Sequence, residues 1–507
     1  MTSNIDAVSR IPLRDSADRE KLSLLPWFLI ALVFAVAILL RQVVPLNTDV
    51  SWLLTVGERV LDGERLYVDI VEINPPMSVL AYLPGIVLAR ALGLDPKYVI
   101  DAQILLLAAA SLLVTARILR LSSMLDKVRW ASLAIWAAAV LTILPMHVFG
   151  QREHIATLTF LPALAVYALR SNREPLPLWA ILTAGVGAGI TLAFKPYFAI
   201  PAILCVAMSA VRAHSWRVLF SPENVIAGGL VTAFSFYTYV FYPEYFTATY
   251  PLVRDIYLSW SMPASVVMLN SATLIWLIAV ISIFLVRRTN ELDSAALVTL
   301  LASLGFTVVF FLQRRGWAYH SYPMVALVLL AMGYVLTGAA SIQAGSRRFE
   351  IAAMSMLAAT FVVGSQWFNA QVYVGPIEGA VAALKPHPRI LVLSGEAAIG
   401  HPLVRTLHGV WVSRQESLWA REFVRLTREH NSIDPQTDAR LNDYLAQERT
   451  WLIEDFKRLP PDVVLIDNLR DGWGAWARAD AELTQLLRPY TLVQSIEGID
   501  ILRRTER

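Results

Sequence analysis

Apolar runs long enough to cross a lipid bilayer recur along most of this chain, and they limit its fold more than any other feature. They occupy 25–45, 98–118, 130–149, 154–170, 177–195, 197–212, 223–242, 263–286, 294–312, 320–340 and 349–368. A helix rises about 1.5 Å per residue, so about 20 such residues cross the hydrocarbon core, and some of these eleven runs are short by that measure. Only 16% of the 507 residues are charged and 56% are hydrophobic, whereas soluble domains carry roughly 25% charge. Lipid is therefore the expected solvent for much of the surface.

Orientation follows from the basic residues, which collect in short cytoplasmic loops. A further apolar segment, 77–94, is short and interrupted by Pro84-Gly85 and Arg90, so it is read as an interfacial helix. On that reading Arg117, Arg120, Lys127 and Arg129 lie on the same side as the tail residues Arg10, Arg14, Arg19 and Lys21. Arg170 and Arg173, Arg212 and Arg217, Arg287 and Arg288, and Arg347 and Arg348 join them. Letting 77–94 span would invert every later loop. The first outer loop keeps Arg59, Arg65, Arg90 and Lys97, but acids balance them and long loops obey the charge rule poorly. The run from Leu25 to Val44 exceeds a signal-peptide core and lacks a cleavage site, which makes it a retained first span.

The expected fold is thus a polytopic α-helical membrane protein with about eleven transmembrane helices and a small C-terminal extracytoplasmic α/β domain. Residues 1–24 form a cytoplasmic tail, 25–368 the membrane domain with first outer loop 46–97, and 369–507 the outer domain. In the last region, 389–394 (RILVLS) and 462–467 (DVVLID) read as short buried strands. Between them 434–459 suits an amphipathic helix, and 491–504 a hairpin turning at Glu497-Gly498. A net charge of +3 gives no reason to expect nucleic acid, and the single cysteine, Cys205, allows no disulfide. No Walker A or zinc-protease His-Glu pattern is present.

Polar residues with chemical potential gather in the outer loops. Asp49 follows Asn47-Thr48; it can act as a base toward an incoming hydroxyl or cap the helix after it. Glu72, before Asn74-Pro75-Pro76, is either a substrate contact or a solvated loop acid. Gln151-Arg152-Glu153-His154 sits between two strongly apolar runs. There Glu153 can bind substrate or metal while Arg152 and His154 face phosphate, or Arg152 and Glu153 simply pair and snorkel. Lys195 is a phosphate contact or a snorkelling lysine. The aromatics of 243–262 suit an interfacial belt, with stacking on a sugar as the other role. The last outer loop, Gln313 to His320, holds Arg314, Arg315, Trp317, Tyr319 and His320, a set able to grip phosphate or to anchor the helix ends. Acids in the first two outer loops and cations in later ones suit a reaction that activates a hydroxyl and expels a phosphate.

This pattern resembles the GT-C glycosyltransferases, polytopic enzymes that use polyprenyl-phosphate-linked sugars. It is most similar to the bacterial branch related to protein mannosyltransferases and to the lipid A aminoarabinose and galacturonic acid transferases. The features that carry the resemblance are Asn47-Thr48-Asp49, Asn74-Pro75-Pro76, Gly150 to His154, Gln313 to His320 and the outer C-terminal domain. It implies that Asp49 is the catalytic base, that Glu153 corresponds to an acid of the second outer loop, and that Lys195, Arg314 and Arg315 bind the carrier phosphate. It further implies an inverting transferase in a bacterial inner membrane, facing the periplasm, with a polyprenyl-phosphate sugar donor. The acceptor would be a surface glycan, glycolipid or protein. No cofactor is expected, since the longer acidic motif of the metal-dependent branch is missing. A flippase for a lipid-linked glycan and a non-catalytic membrane scaffold are the alternative readings.

Overall fold

The computed structural model describes residues 16–505 except 123, 126–128, 288–291, 344, 371, 373, 431, 470 and 471. Arg10, Arg14, Lys127 and Arg288, used above to orient the chain, lie outside the described residues. Each apolar run meets a helix, because in lipid every backbone polar group must be satisfied within the chain. The helices are α1 (Ser16–Val43), α2 (Thr48–Leu61), α3 (Met77–Leu80), α4 (Leu83–Leu92), α5 (Pro96–Leu119), α6 (Arg129–Thr142) and α7 (Arg152–Ser171). They continue as α8 (Leu178–Phe194), α9 (Ala199–Arg212), α10 (Pro222–Phe241), α11 (Ser271–Val286), α12 (Ser294–Gln313), α13 (Ala318–Gln343) and α14 (Arg347–Phe368). Among the described residues six helices are long and apolar enough to cross a membrane: α1, α5, α12, α13, α14 and one containing α10. Helices α6, α8, α9 and α11 are apolar but shorter.

The bundle is arranged around α7. Every residue of α7 except Arg170 is buried, whereas α1 and α10 leave residues such as Phe28, Leu39, Phe236 and Phe241 exposed. That inside-out pattern suits helices whose outer faces meet lipid. Small residues allow close helix approach where hydrophobic burial cannot drive association. At Gly187 of α8 a Cβ would lie 2.2 Å from the Thr159 carbonyl oxygen of α7. Segment 77–94 forms α3 and α4, of 4 and 10 residues, too short to span. Gly93 ends α4 in the left-handed conformation, as helix C-termini favour.

After α14 the chain builds a five-stranded sheet of order β2-β1-β3-β5-β4, with β1 Arg389–Leu393, β2 Val410–Trp411, β3 Val463–Asp467, β4 Tyr490–Ile496 and β5 Ile499–Arg504. The β1 strand pairs in parallel with β2 and β3, and β5 pairs antiparallel with β3 and β4. The two apolar strands read from the sequence lie side by side at the sheet centre. The hairpin turns at Glu497 and Gly498, both at positive φ (49° and 80°), which matches the right-handed strand twist. Helices α15 (Trp419–His430) and α16 (Pro435–Arg458) pack together beside the sheet, α16 being capped by Asp434 through the Gln436 and Thr437 N–H groups.

The sheet domain is tied to the first loop. The Val71 N–H donates to the Arg414 carbonyl at 2.8 Å. Arg59 Nη1 donates to the Ser413 carbonyl at 2.8 Å, and Arg405 pairs with Glu58 at 2.7 Å.

Within this domain Glu448 of α16 is buried and accepts from the Ala420 and Arg421 N–H groups at 2.9 and 3.0 Å. Burial pushes its carboxyl up to about 7, against the pull of those bonds. A folded-state value above the unfolded one means stability that is complete below about pH 4.5 and is lost as pH rises through about 7. The loss amounts to about 3 kcal/mol, taking roughly 1.4 kcal/mol per unit. Glu448→Gln does not titrate, so between about pH 5 and about pH 8 it should gain on the wild type by up to that amount. Melting curves of the two full-length proteins across this range test it. A difference that stays constant with pH would refute it.

Candidate active site

Helix α2 begins at Asn47, whose side chain accepts from the Asp49 N–H at 2.9 Å and from the Val50 N–H at 3.4 Å. Asn47, not Asp49, is therefore the cap, and the Asp49 carboxyl is free for other work. It sits in the first turn of α2, half-buried, and its Oδ2 accepts from Arg152 Nη2 at 2.9 Å. Arg152 is the first residue of α7 and is buried, with Nε and Nη1 lacking partners among the described residues. Gln151 Nε2 donates to the Asn47 side-chain oxygen, so the starts of α2 and α7 are held together.

A second ionic group lies alongside. Lys195, between α8 and α9, donates to Glu153 Oε1 at 2.5 Å, and His320 Nε2 is 3.7 Å from the same oxygen. Glu153 is buried and its Oε2 has no partner among the described residues. Tyr319 spans the two groups, its ring centroid 6.0 Å from the Arg152 guanidinium and 5.7 Å from Lys195 Nζ.

Asp49, Glu72, Arg152, Lys195 and Tyr319 all line one cavity of about 470 Å³ between the helix ends and the C-terminal domain. Glu72 is buried rather than solvated. Its Oε2 accepts from Trp52 Nε1 at 2.6 Å, and its Oε1 accepts from the Asn74 N–H and Nδ2 at 2.9 and 2.6 Å. Burial raises its pKa, opposed by Arg152 and by these bonds.

Glu153 and His320 lie outside the lining and touch it through Lys195. His154 also lies outside it: Nδ1 accepts from the Gly150 N–H at 3.0 Å and Nε2 donates to the Leu141 carbonyl at 2.8 Å. Both nitrogens thus serve backbone, leaving neither for phosphate in this conformation. The arginine pair is likewise absent from the lining. Arg314 ends α12 with φ 47° and its Nε donates to the Met262 carbonyl at 2.9 Å. The Arg315 guanidinium lies 4.2 Å from the Tyr257 ring centroid, 5.0 Å from Trp260 and 5.6 Å from Phe423, and also donates to the Tyr257 carbonyl. Both arginines hold the 243–262 loop, and Arg315 also clasps α15.

The C-terminal domain supplies a wall that local sequence did not announce. Glu396, Glu416, Trp419, Glu422 and Phe423 line the cavity. Among the described residues no cluster of three or more His, Cys, Asp or Glu is arranged to hold a metal ion.

Among solved structures, apo ArnT from Cupriavidus metallidurans matches with a TM-score of 0.60 at 12% identity, over 96% of this chain and 98% of that one. The structure of ArnT bound to undecaprenyl phosphate matches with a TM-score of 0.57 at 12% identity, over 94% and 97%. Neither a protein-family model nor a curated protein matches the chain in sequence. At this identity the likeness is one of fold, and it extends over almost the whole chain. The chain shares its fold with ArnT.

Proposed function

We propose that the protein is a membrane glycosyltransferase that takes sugar from a polyprenyl-phosphate carrier and passes it to a glycan, glycolipid or protein acceptor. The observation that carries this reading is a carboxylate, Asp49, in one cavity with two cations, Arg152 and Lys195. The undecaprenyl phosphate bound to ArnT supports the carrier class.

In this reading Asp49 removes the proton from an acceptor hydroxyl, whose oxygen attacks the anomeric carbon as the bond to the carrier phosphate breaks. Attack opposite the leaving group inverts that carbon. Arg152 and Lys195 stabilise the charge developing on the phosphate. The unpartnered Arg152 nitrogens favour an anion there, since buried donors left unsatisfied cost about 1–3 kcal/mol each. No step requires a metal.

The proposal places the reaction on the outer face of a bacterial inner membrane, with eleven spans, the tail of 1–24 cytoplasmic and 369–507 periplasmic. Nucleotide sugars are cytosolic, so an outward cavity favours a lipid-borne donor. The basic inner loops support this orientation. Against a transporter, the ionisable groups of the cavity sit at helix ends instead of on broken helices at mid-bilayer.

A strain lacking the protein should lose one sugar from a defined surface glycan or glycolipid, as read by mass spectrometry of extracts, and wild type should restore it. Unchanged glycans, or loss of a whole lipid-linked glycan from the surface while its carrier-bound form accumulates, would replace the transferase reading with scaffold or transporter.

A further inference from the structure

The cavity has two chemically different sides. Its cations come from the membrane helices, whereas Glu396, Glu416 and Glu422 come from the C-terminal domain. Glu422 pairs with Arg425 at 2.8 Å, and Glu396 accepts from the Ala398 N–H at 3.2 Å. Glu416 makes no hydrogen bond or ion pair with any described residue. Its neighbours are pinned on both sides. Gln415 bridges to Val71, and the Ser417 hydroxyl donates to the Gly395 carbonyl at 3.0 Å. The backbone thus presents an unused carboxyl to the cavity.

Glu416 is half-buried, and the other carboxylates that line the cavity, Asp49, Glu72, Glu396 and Glu422, each have a protein partner, so among the described residues its carboxyl is the lining acid left for a ligand. Burial, then the charges of Asp49 and Glu72, hold the Glu416 carboxyl well above the usual range. A protonated carboxyl both donates and accepts, as a sugar hydroxyl does. Aromatic rings line the same cavity: Trp419 and Phe423 from α15, and Trp52, Trp260 and Trp317 from the membrane domain. Such rings cover the C–H face of a sugar while a carboxyl engages its edge. A ring bearing its own carboxylate would bring that charge into the cavity that holds the Asp49 carboxylate, and like charges at close range cost several kcal/mol.

We propose that Glu416 and Trp419 form a subsite for an uncharged, hydroxyl-rich saccharide ring, which excludes rings that carry a carboxylate from the C-terminal wall. This deepens the transferase reading and rests on it for biological meaning, but binding is measurable without turnover. The ring belongs either to the acceptor glycan or to the donor's sugar.

The test is saturation-transfer NMR on the purified full-length protein in nanodiscs. The probes are the methyl glycosides of glucose, mannose and galactose, methyl glucuronoside, and the hexose 1-phosphates. At least one neutral glycoside should bind, with the glucuronoside about tenfold weaker or worse, which corresponds to 1.4 kcal/mol. Glu416→Ala should weaken the neutral glycoside by about tenfold, while Glu416→Gln, which keeps a donor and an acceptor, should stay within about twofold. If Glu416→Ala weakens the hexose 1-phosphate by the same factor, the ring is the donor's; if that probe binds unchanged, the ring is the acceptor's. Equal binding of neutral and anionic glycosides, no glycoside binding, or a Glu416→Ala variant that binds like wild type would overturn the proposal. A deletion strain with unchanged glycans would overturn the transferase reading alone and leave this binding result standing.

Discussion

Replacing Asp49 by Asn is expected to cut sugar transfer by about 10²–10⁴-fold, the range for losing a general base, while the protein stays folded. The cap of α2 should survive because Asn47, two residues earlier, supplies it, whereas the buried Arg152 loses the charge of its partner. Asparagine keeps one side-chain oxygen for Arg152 Nη2, so the 2.9 Å contact can persist without its charge. What is lost is the proton acceptor and the favourable placement of an anion in the first turn of a helix, the latter worth about 0.3–1 kcal/mol. Asp49→Ala should behave worse in stability, since it leaves a third nitrogen of the buried Arg152 unpartnered. The measurement is the glycan product in a deletion strain carrying each variant, alongside the melting of each purified protein. Near-normal product from Asp49→Asn would remove Asp49 from the role of base, whatever the fate of the fold.

The membrane helices could be read from sequence because lipid permits so few alternatives: an apolar run must close its own hydrogen bonds, and the basic loops indicate which segment fails to cross. Segment 77–94 forms two short helices that part at Ala81-Tyr82, with Pro84 in the first turn of the second, where its missing N–H costs no helical hydrogen bond. Local sequence could not rank Asn47, Thr48 and Asp49 as caps, since each residue type is a good one. Backbone geometry alone selects Asn47. Local sequence left Glu72 open between a substrate contact and a solvated acid because its partner Trp52 lies twenty residues earlier, on the face of α2 turned toward it. The two arginines after α12 could be read as phosphate ligands or as anchors, because positive charge on the outer face is rare. The competing explanation, aromatic rings at 257, 260 and 423, needed the fold to bring them together. The acidic and aromatic wall from the C-terminal domain had no local signature. It reaches the cavity through contacts such as Val71 with Arg414, more than three hundred residues apart in sequence.

Replacing Lys195 by Met should cause the largest structural loss at the site, and a double variant separates that loss from function. Glu153 has a side chain only 1% exposed, with Lys195 2.5 Å from Oε1 and nothing on Oε2. Removing one partner of a buried pair strands the other charge, at about 3–5 kcal/mol, whereas removing both is often neutral. His320, 3.7 Å from the same oxygen, offers partial compensation only if protonated. Lys195→Met alone should therefore melt well below wild type and transfer no sugar. Adding Glu153→Gln removes the stranded charge and should recover most of the stability. Transfer should not recover with it, because the cavity still lacks one of the two cations proposed to receive the carrier phosphate. Native mass spectrometry of the double variant with undecaprenyl phosphate should show binding weakened by about tenfold or more, the equivalent of 1.4 kcal/mol. If the double variant regains both melting temperature and transfer, Lys195 serves only to neutralise Glu153, and the phosphate falls to Arg152 alone.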